Sequence, residues 1–325
     1  MKKILVTGGA GYIGSKIAYD LLDLGYDVSI IDNLSTGYKN LIPSKSKFTK
    51  IDIKNFNKLN SYFSHNNFDA IFHFAASLSV KESQSNPLKY YKNNVLGIEN
   101  ILKCMSKYKV KYFIFSSTCA VYGNVKSVPI NENSPLNPES NYGKTKMLAE
   151  YLLKNYAKKY KFKYAILRYF NVVGADNKMR TGQIYKGSLF KNLAVNLIKK
   201  NYLIKIFGNN YNTNDGTCVR DYIDINDLSN IHIISLKKLL KFKSFILNCG
   251  YGIGYSVKEI VDLFQKKIKI KINKIYKQKR SGDVEKIYAD NFLLKKTFPT
   301  WKRKFSIKKS IENTLKWEKQ ICLRK

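Results

Sequence analysis

Tyr142 and Lys146 stand four residues apart in a stretch, Tyr142 to Tyr160, whose apolar spacing predicts a long amphipathic helix. Both side chains then lie on one face. A phenol titrates near about 10 and is a poor base at neutral pH. A lysine ammonium beside it favours the phenolate and turns it into a proton acceptor for a hydroxyl group. Thr118 ends a short apolar run, Tyr112-Phe113-Ile114-Phe115, followed by Ser116-Ser117. Its hydroxyl can bond the oxygen that such a base deprotonates. In a chain with 24 tyrosines the Tyr-x-x-x-Lys spacing arises easily by chance, as Tyr108, Tyr151 and Tyr156 illustrate. What gives it meaning is what precedes it.

Near the start runs Thr7-Gly8-Gly9-Ala10-Gly11-Tyr12-Ile13-Gly14. The apolar Lys2-Lys3-Ile4-Leu5-Val6 before it reads as a buried strand. After it, Ile13, Ile17, Leu21 and Leu24 recur at helical spacing until Gly25, a C-terminal cap. In a strand–turn–helix setting, Gly8 permits the tight turn, Gly11 lets backbone approach a pyrophosphate, and Gly14 lets helix and strand pack closely. The pyrophosphate meets the free N–H groups of the helix start. A second apolar strand, Val28-Ser29-Ile30-Ile31, delivers Asp32 at about the 20-residue offset where a carboxylate bonds the adenosine ribose. Asp32 repels a 2′-phosphate and no arginine stands beside it, so NAD is expected rather than NADP. Its oxidised nicotinamide adds positive charge near the tyrosine. The order is dinucleotide turn, strand-end hydroxyl, then Tyr-x-x-x-Lys, which is the order of a hydride-transfer site.

The elements between these residues alternate as in a doubly wound parallel sheet. Phe48 to Ile53 reads as the third strand and Ala70 to Ala76 as the fourth. Asn86-Pro87 caps and opens a helix running to about Lys107. The fifth strand places Ser116-Ser117-Thr118 at its carboxyl end, where open α/β sheets bind ligands. A proline-bearing loop, Val128 to Pro138, precedes the helix of Tyr142. Ala165 to Phe170 is the sixth strand. Beyond Asn171 the alternation fails: a loop from about Gly174 to Gly187, an apolar helix, a short strand Ile204 to Phe207, then Thr217 to Ile225 and a helix after Asn226. The expected division is a Rossmann-like domain over residues 1–173, to which about 217–240 returns, and a smaller interleaved α/β domain over 174–325. His73, at the end of a buried strand, reads as a satisfied core histidine.

The 325 residues allow an ample core. No apolar run approaches the roughly 18 residues of a membrane span, and the chain enters a core strand at once, leaving no room for a signal peptide. Cys104, Cys119, Cys218, Cys249 and Cys322 are scattered without metal spacing and read as reduced thiols, so a cytoplasmic location is expected and no metal is. A net charge of +35 invites a nucleic-acid reading. The lysines, however, are spread over nearly every surface helix with no arginine-rich arm. Lysine abounds together with Asn, Ile, Tyr and Phe, all of which have A/T-rich codons. Codon drift accounts for the charge, and no specific nucleic acid or membrane partner is expected.

The chain resembles the extended short-chain dehydrogenase/reductase family, the NAD-dependent epimerases and dehydratases, over essentially its full length. The stretches carrying the likeness are TGGAGYIGS (7–15), DNLSTG (32–37), FHFAA (72–76), ESQSNPLKYYKNNVLG (82–97), FIFSSTCAVYG (113–123), NYGKTKMLAE (141–150), LRYFNVVGA (167–175), IFGNNYNTNDGTCVRDYI (206–223) and RSGD (280–283). Within the family it is similar to the branch that interconverts UDP-galactose and UDP-glucose at C4 with NAD retained. The resemblance implies Tyr142 as the base, Lys146 on the nicotinamide ribose and Thr118 on the 4-oxygen. For NAD it implies Gly8, Gly11, Tyr12, Ile13 and Gly14, with Asp32 and Asn33 on the adenosine ribose and Asp52 and Ile53 on the adenine. Phe74, Ala75, Ala76, Asn93, Ser116 and Phe170 line the rest of the cofactor path. On the substrate side it implies Arg220 and Arg280 on the diphosphate, Asp283 on the uridine ribose and Phe207 on the uracil. Asn171 meets the sugar or diphosphate, and Leu189 joins this set. Arginine forks suit diphosphate oxygens better than lysine does.

Two departures bear on specificity. The strand-end hydroxyl is Thr118 where many epimerases carry serine. In the dehydratase branch carboxylates follow the strand-end threonine, supplying the acid and base that remove water; here Cys119-Ala120 cannot. Ile287 aligns with a residue that limits the sugar pocket, and its bulk implies preference for UDP-glucose and UDP-galactose over their N-acetyl forms. The helices after Pro87 and from Tyr142 resemble the pair that dimerises in the family, so a homodimer is expected.

Overall fold

The computed structural model describes residues 3–125, 127–280 and 282–323. Lys2, at the expected start of the first strand, and Ser281 of the RSGD stretch lie outside the described residues. The chain divides into two units. The first comprises residues 1–123, 136–168 and 229–247, and the second 124–135, 169–228 and 248–325.

In the first unit the strands are β1 (Lys3–Thr7), β2 (Asp27–Asp32), β3 (Lys47–Lys50), β4 (Ala70–His73), β5 (Tyr112–Thr118) and β6 (Lys163–Tyr169). Between them run α1 (Tyr12–Asp23), α2 (Phe56–Ser64), α3 (Val80–Ser85), α4 (Pro87–Tyr90), α5 (Gly97–Lys107) and α6 (Asn141–Tyr160). The strand order, from one edge, is β3-β2-β1-β4-β5-β6, closed by a seventh strand at Phe245–Cys249. The pairs β1·β2, β1·β4, β2·β3 and β4·β5 are parallel. This is the doubly wound sheet the alternation predicts. Ile4, Leu5 and Val6 of β1 are fully buried, as a strand covered on both faces must be.

The third strand stops at Lys50, earlier than expected. Asp52 Oδ1 accepts the Lys54 N–H at 2.9 Å, and the turn it makes removes Asp52 and Ile53 from the ladder. The helix expected from Pro87 to Lys107 is helical throughout but changes its winding. Asn86 caps α4 with Pro87 at its first position, a π-helical turn occupies Tyr91–Leu96, and α5 follows. A Cβ on Gly97 would lie 2.5 Å from Ile53 Cδ1, so glycine lets α5 pack tightly there. At the end of α1, Gly25 adopts φ +81°. Tyr26 N–H bonds Leu21 O at 3.1 Å and Gly25 N–H bonds Leu22 O at 2.9 Å, the paired bonds of a left-handed glycine cap.

The second unit has its own core, built on Val173, Phe190, Leu193, Ile206, Tyr222 and Phe264. Its strands are β7 (Asn171–Val173), β8 (Leu203–Phe207), β9 (Val219–Asp224), β10 (Phe245–Cys249, the seventh strand of the large sheet, whose end enters this unit), β11 (Gly254–Ser256), β12 (Asn273–Lys277) and β13 (Lys286–Ile287). Its helices include α7 (Leu189–Ile198), then α8 (Ile225–Lys241), which begins here and continues in the first unit from Ser229. Strand β9 carries β7, β11 and β13 on its edges, while β8 and β12 form a parallel pair. The sequence places Thr217 to Ile225 back in the large sheet, and the structure corrects this. β9 belongs to the small sheet, and the return is made by α8 and β10.

Candidate active site

The glycine turn between β1 and α1 has the geometry its spacing predicts. Gly8 sits at φ +72°, donates to Ile31 O at 2.8 Å, and a Cβ there would lie 2.6 Å from Ala75 N. A Cβ on Gly14 would lie 2.3 Å from Gly8 O, whereas one on Gly11 would meet only that same oxygen, at 3.3 Å. Gly8 and Gly14 are thus required by close packing, and Gly11 leaves its backbone open to a ligand. Asp32 ends β2 with Oδ2 accepting from Ala10 N–H at 3.0 Å and Oδ1 from Leu34 N–H at 2.8 Å. Burial pushes its pKa up, and the two N–H donors oppose that shift.

A groove at this turn is lined by Gly8, Gly11, Asp32, Asn33, Ile53, Phe74, Ala75, Ala76 and Asn93. Tyr12 and Gly14 are buried in the first turn of α1 and Ile13 is half-buried. Asp52 lies outside the groove lining but accepts from Asn33 Nδ2 at 3.1 Å. Phe170 is placed in the second unit, buried, with its N–H on Cys249 O. These glycines and the ribose-type carboxylate fit a dinucleotide: a tightly packed turn with open backbone at Gly11, a helix start and an acceptor at its far end.

Thr118 closes β5 and Tyr142 opens α6, whose N-cap Ser140 accepts the Gly143 N–H. Thr118 Oγ1 accepts the Ala120 N–H at 3.1 Å, and its hydroxyl is near enough to Tyr142 to act on the phenol. Burial nonetheless holds the phenol well above its ordinary range, and the Thr118 hydroxyl pulls the other way. The lowering expected from Lys146 is not seen in the protein alone, where burial sets the direction. Lys146 is 2% exposed, donates from Nζ to Ser116 O at 2.8 Å and sits 4.9 Å from the Phe115 ring centre. Burial draws its ammonium down to about 7. His73 pairs through Nδ1 with Thr7 Oγ1 at 2.8 Å, and burial pushes it down to about 3, so it is a neutral core residue.

Sequence reading missed what stands beneath this trio. Arg168, Glu150, Ser117 and Tyr122 are all buried and mutually bonded. The available signal was Glu150 at the same four-residue spacing after Lys146 as Lys146 is after Tyr142. Also missed was Asn94 in the π-turn, which bonds Ser77 backbone and Thr145 Oγ1 and so fixes the turn that presents Asn93.

In the second unit a cavity of about 820 Å³ gathers Asn171, Leu189, Phe207, Arg220, Arg280 and Asp283, all six of the expected residues that fall in this unit's substrate set. Gln183, Tyr185, Asn192, Cys218 and Tyr222 complete much of its wall. The Arg280 guanidinium lies 3.8 Å from the Phe207 ring centre, and Arg220 Nη1 donates to Val219 O and Glu285 O. Ile287, 4% exposed and in register with Arg220, is outside the cavity lining.

Comparison with known proteins gives these features a family. The NAD dependent epimerase/dehydratase family model matches residues 4–250. A UDP-glucose 4-epimerase of Lactobacillus helveticus is 39% identical, covering 98% of this chain and 97% of that protein. A putative UDP-arabinose 4-epimerase of Arabidopsis thaliana is 38% identical, covering 97% and 79%. Among solved structures, UDP-glucose-4-epimerase from Stenotrophomonas maltophila, with bound NAD and formylated UDP-arabinopyranose, superposes with a TM-score of 0.93 at 31% identity over 100% of each chain. The chain belongs to the NAD dependent epimerase/dehydratase family, within the extended short-chain dehydrogenase/reductases, as an NAD-using enzyme of its UDP-sugar 4-epimerase branch.

Proposed function

We propose that the protein interconverts UDP-galactose and UDP-glucose by transient oxidation at C4, with NAD retained between turnovers. The observation that carries this reading is the buried Lys146, bonded to Ser116 O at the strand end that bears Thr118 and one turn after Tyr142 on α6, in the same unit as the dinucleotide turn. Tyr142 takes the proton of the sugar 4-hydroxyl, and Thr118 steadies that oxygen. Lys146 holds the nicotinamide ribose and stabilises the tyrosinate. NAD, when bound, supplies the hydride acceptor of the first half-reaction and the donor of the second. The flat 4-keto sugar turns over before reduction on its other face, and Tyr142 returns the proton. Arg220 and Arg280 hold the diphosphate, Phe207 the uracil, Asp283 the uridine ribose, and Asn171 with Leu189 the remaining contacts. Neither arginine has a carboxylate partner among the described residues, which suits them to an anionic ligand.

A second reading, a pentose substrate, is favoured by the likeness to UDP-arabinose 4-epimerases, whose names describe the same inversion at C4. Measuring kcat/KM for UDP-galactose, UDP-arabinopyranose and UDP-N-acetylglucosamine decides among these. We expect UDP-galactose to lead and the N-acetyl sugar to lag, with Ile287 acting through its pairing with Arg220 and not as part of the cavity wall. A UDP-arabinopyranose value well above that for UDP-galactose would install the pentose reading, and comparable N-acetyl turnover would remove Ile287 as a selector. We also infer a homodimer through the α4 and α6 helices, which expose Leu88, Leu148 and Tyr151. Light scattering at the monomer mass would contradict it.

A further inference from the structure

Glu150 lies one turn beyond Lys146 and two beyond Tyr142 on α6, and is 1% exposed. Its carboxylate accepts from Arg168 Nε at 2.9 Å and Arg168 Nη2 at 2.6 Å, a bidentate fork, and from Ser117 Oγ at 2.5 Å. Arg168, on β6 and also buried, donates from Nη1 to the Tyr122 hydroxyl at 2.8 Å. A buried ion pair is weak evidence for stability, because desolvating two charges offsets most of their attraction, and apolar residues of similar volume serve as well. Its place in the fold offers another reason for it. Ser117 stands between Ser116, whose carbonyl accepts from Lys146, and Thr118, the last residue of β5. The network therefore ties the helix bearing the base to the strand end bearing the partner hydroxyl.

We propose that Glu150, clamped by Arg168 and Ser117, is the positioning residue of the Thr118–Tyr142–Lys146 trio, fixing α6 against the end of β5. It touches neither sugar nor cofactor and acts through Lys146 and Ser117. What the trio does rests on the epimerase reading above. A second consequence is electrostatic. Burial alone pulls the Lys146 ammonium down, and the Glu150 carboxylate opposes that. From β4, His73 faces Lys146 as a neutral ring and adds no negative charge. Tyr142, on the same helix face, is held as neutral phenol. Glu150 is thus the carboxylate whose charge opposes loss of the lysine's proton.

The test uses the full-length, NAD-loaded protein. Glu150→Gln alone strands a buried guanidinium and can fail to fold, so the main variant is Glu150→Gln with Arg168→Met, which removes both charges. Arg168→Lys and Ser117→Ala accompany it. Two readouts are taken across pH: kcat and KM for UDP-galactose, and the titration of Lys146 followed by NMR of nitrogen-labelled lysine. For the double variant we expect kcat to fall about tenfold at neutral pH with KM within about twofold. Loss of the Lys146 proton, and with it the alkaline limb of activity, should move down by about one pH unit. Arg168→Lys, which keeps the carboxylate charge, should leave that titration in place, and Ser117→Ala should lower kcat without moving KM. A folded double variant with wild-type kcat and an unmoved Lys146 titration overturns the proposal. So does a loss of kcat with the titration unmoved, since packing alone would do that. If the epimerase reading itself fails, wild-type protein is inert on UDP sugars while the Lys146 titration still separates the variants.

Discussion

The trio's surroundings and the cavity of the second unit treat charge in opposite ways. Beside and beneath Lys146 the charged groups are buried and bonded: the ammonium on Ser116 O, Glu150 in the Arg168 fork, Ser117 on Glu150. In the second unit Arg280 and Asp283 are exposed, and Arg280 rests on the face of Phe207 rather than on a carboxylate. Proton and hydride transfer need fixed geometry and a low dielectric, which a buried network supplies. Capturing a soluble nucleotide needs access, and an arginine leaning on an aromatic ring can leave it at little cost. The comparison predicts that damage to the first region lowers kcat and damage to the second raises KM.

Tyr142→Phe should break the first region hardest, lowering kcat by about a thousandfold while UDP-sugar binding, read by calorimetry, persists. Retained turnover would show that the base lies elsewhere. Next, Gly14→Val places carbon against Gly8 O and should strip the protein of NAD, at a stability cost of about 2 kcal/mol or more. Cofactor content after purification and thermal unfolding check it. Arg280→Ala should raise KM about tenfold with kcat nearly unchanged, the loss of one charge-assisted contact. A fall in kcat instead would blur the distinction between the regions. Thr118→Ser keeps the hydroxyl and drops a methyl group, so we expect kcat within about threefold of wild type.

How much of this was legible depended on whether the signal was local. The glycine turn, its flanking strand and helix, and the cap at Gly25 are written in consecutive residues, and they fold as the spacing says. So do Asn86-Pro87 and the helix of Tyr142. The π-turn at Tyr91–Leu96 was not legible, because its apolar spacing fits an unbroken α-helix, and what distinguishes it is the buried Asn94 reaching Ser77 and Thr145. The end of β3 turned on one side chain, Asp52, capping its own turn. β9 alternates as any half-buried strand does, and only tertiary pairing with β7, β11 and β13 assigns it to the small sheet. The Arg168–Glu150 pair joins residues 18 apart and carries no periodic mark. Burial also reversed the expected direction at Tyr142, since desolvation depends on neighbours brought from β5 and α6 together.

The central claim is C4 epimerisation with retained NAD. Its most direct test is incubation of the purified protein with UDP-galactose, with no NAD added, followed by chromatographic separation of the sugar nucleotides. UDP-glucose should appear, and Tyr142→Phe should abolish it. No interconversion even with NAD supplied, or a 4-keto-6-deoxy product in its place, would contradict the account.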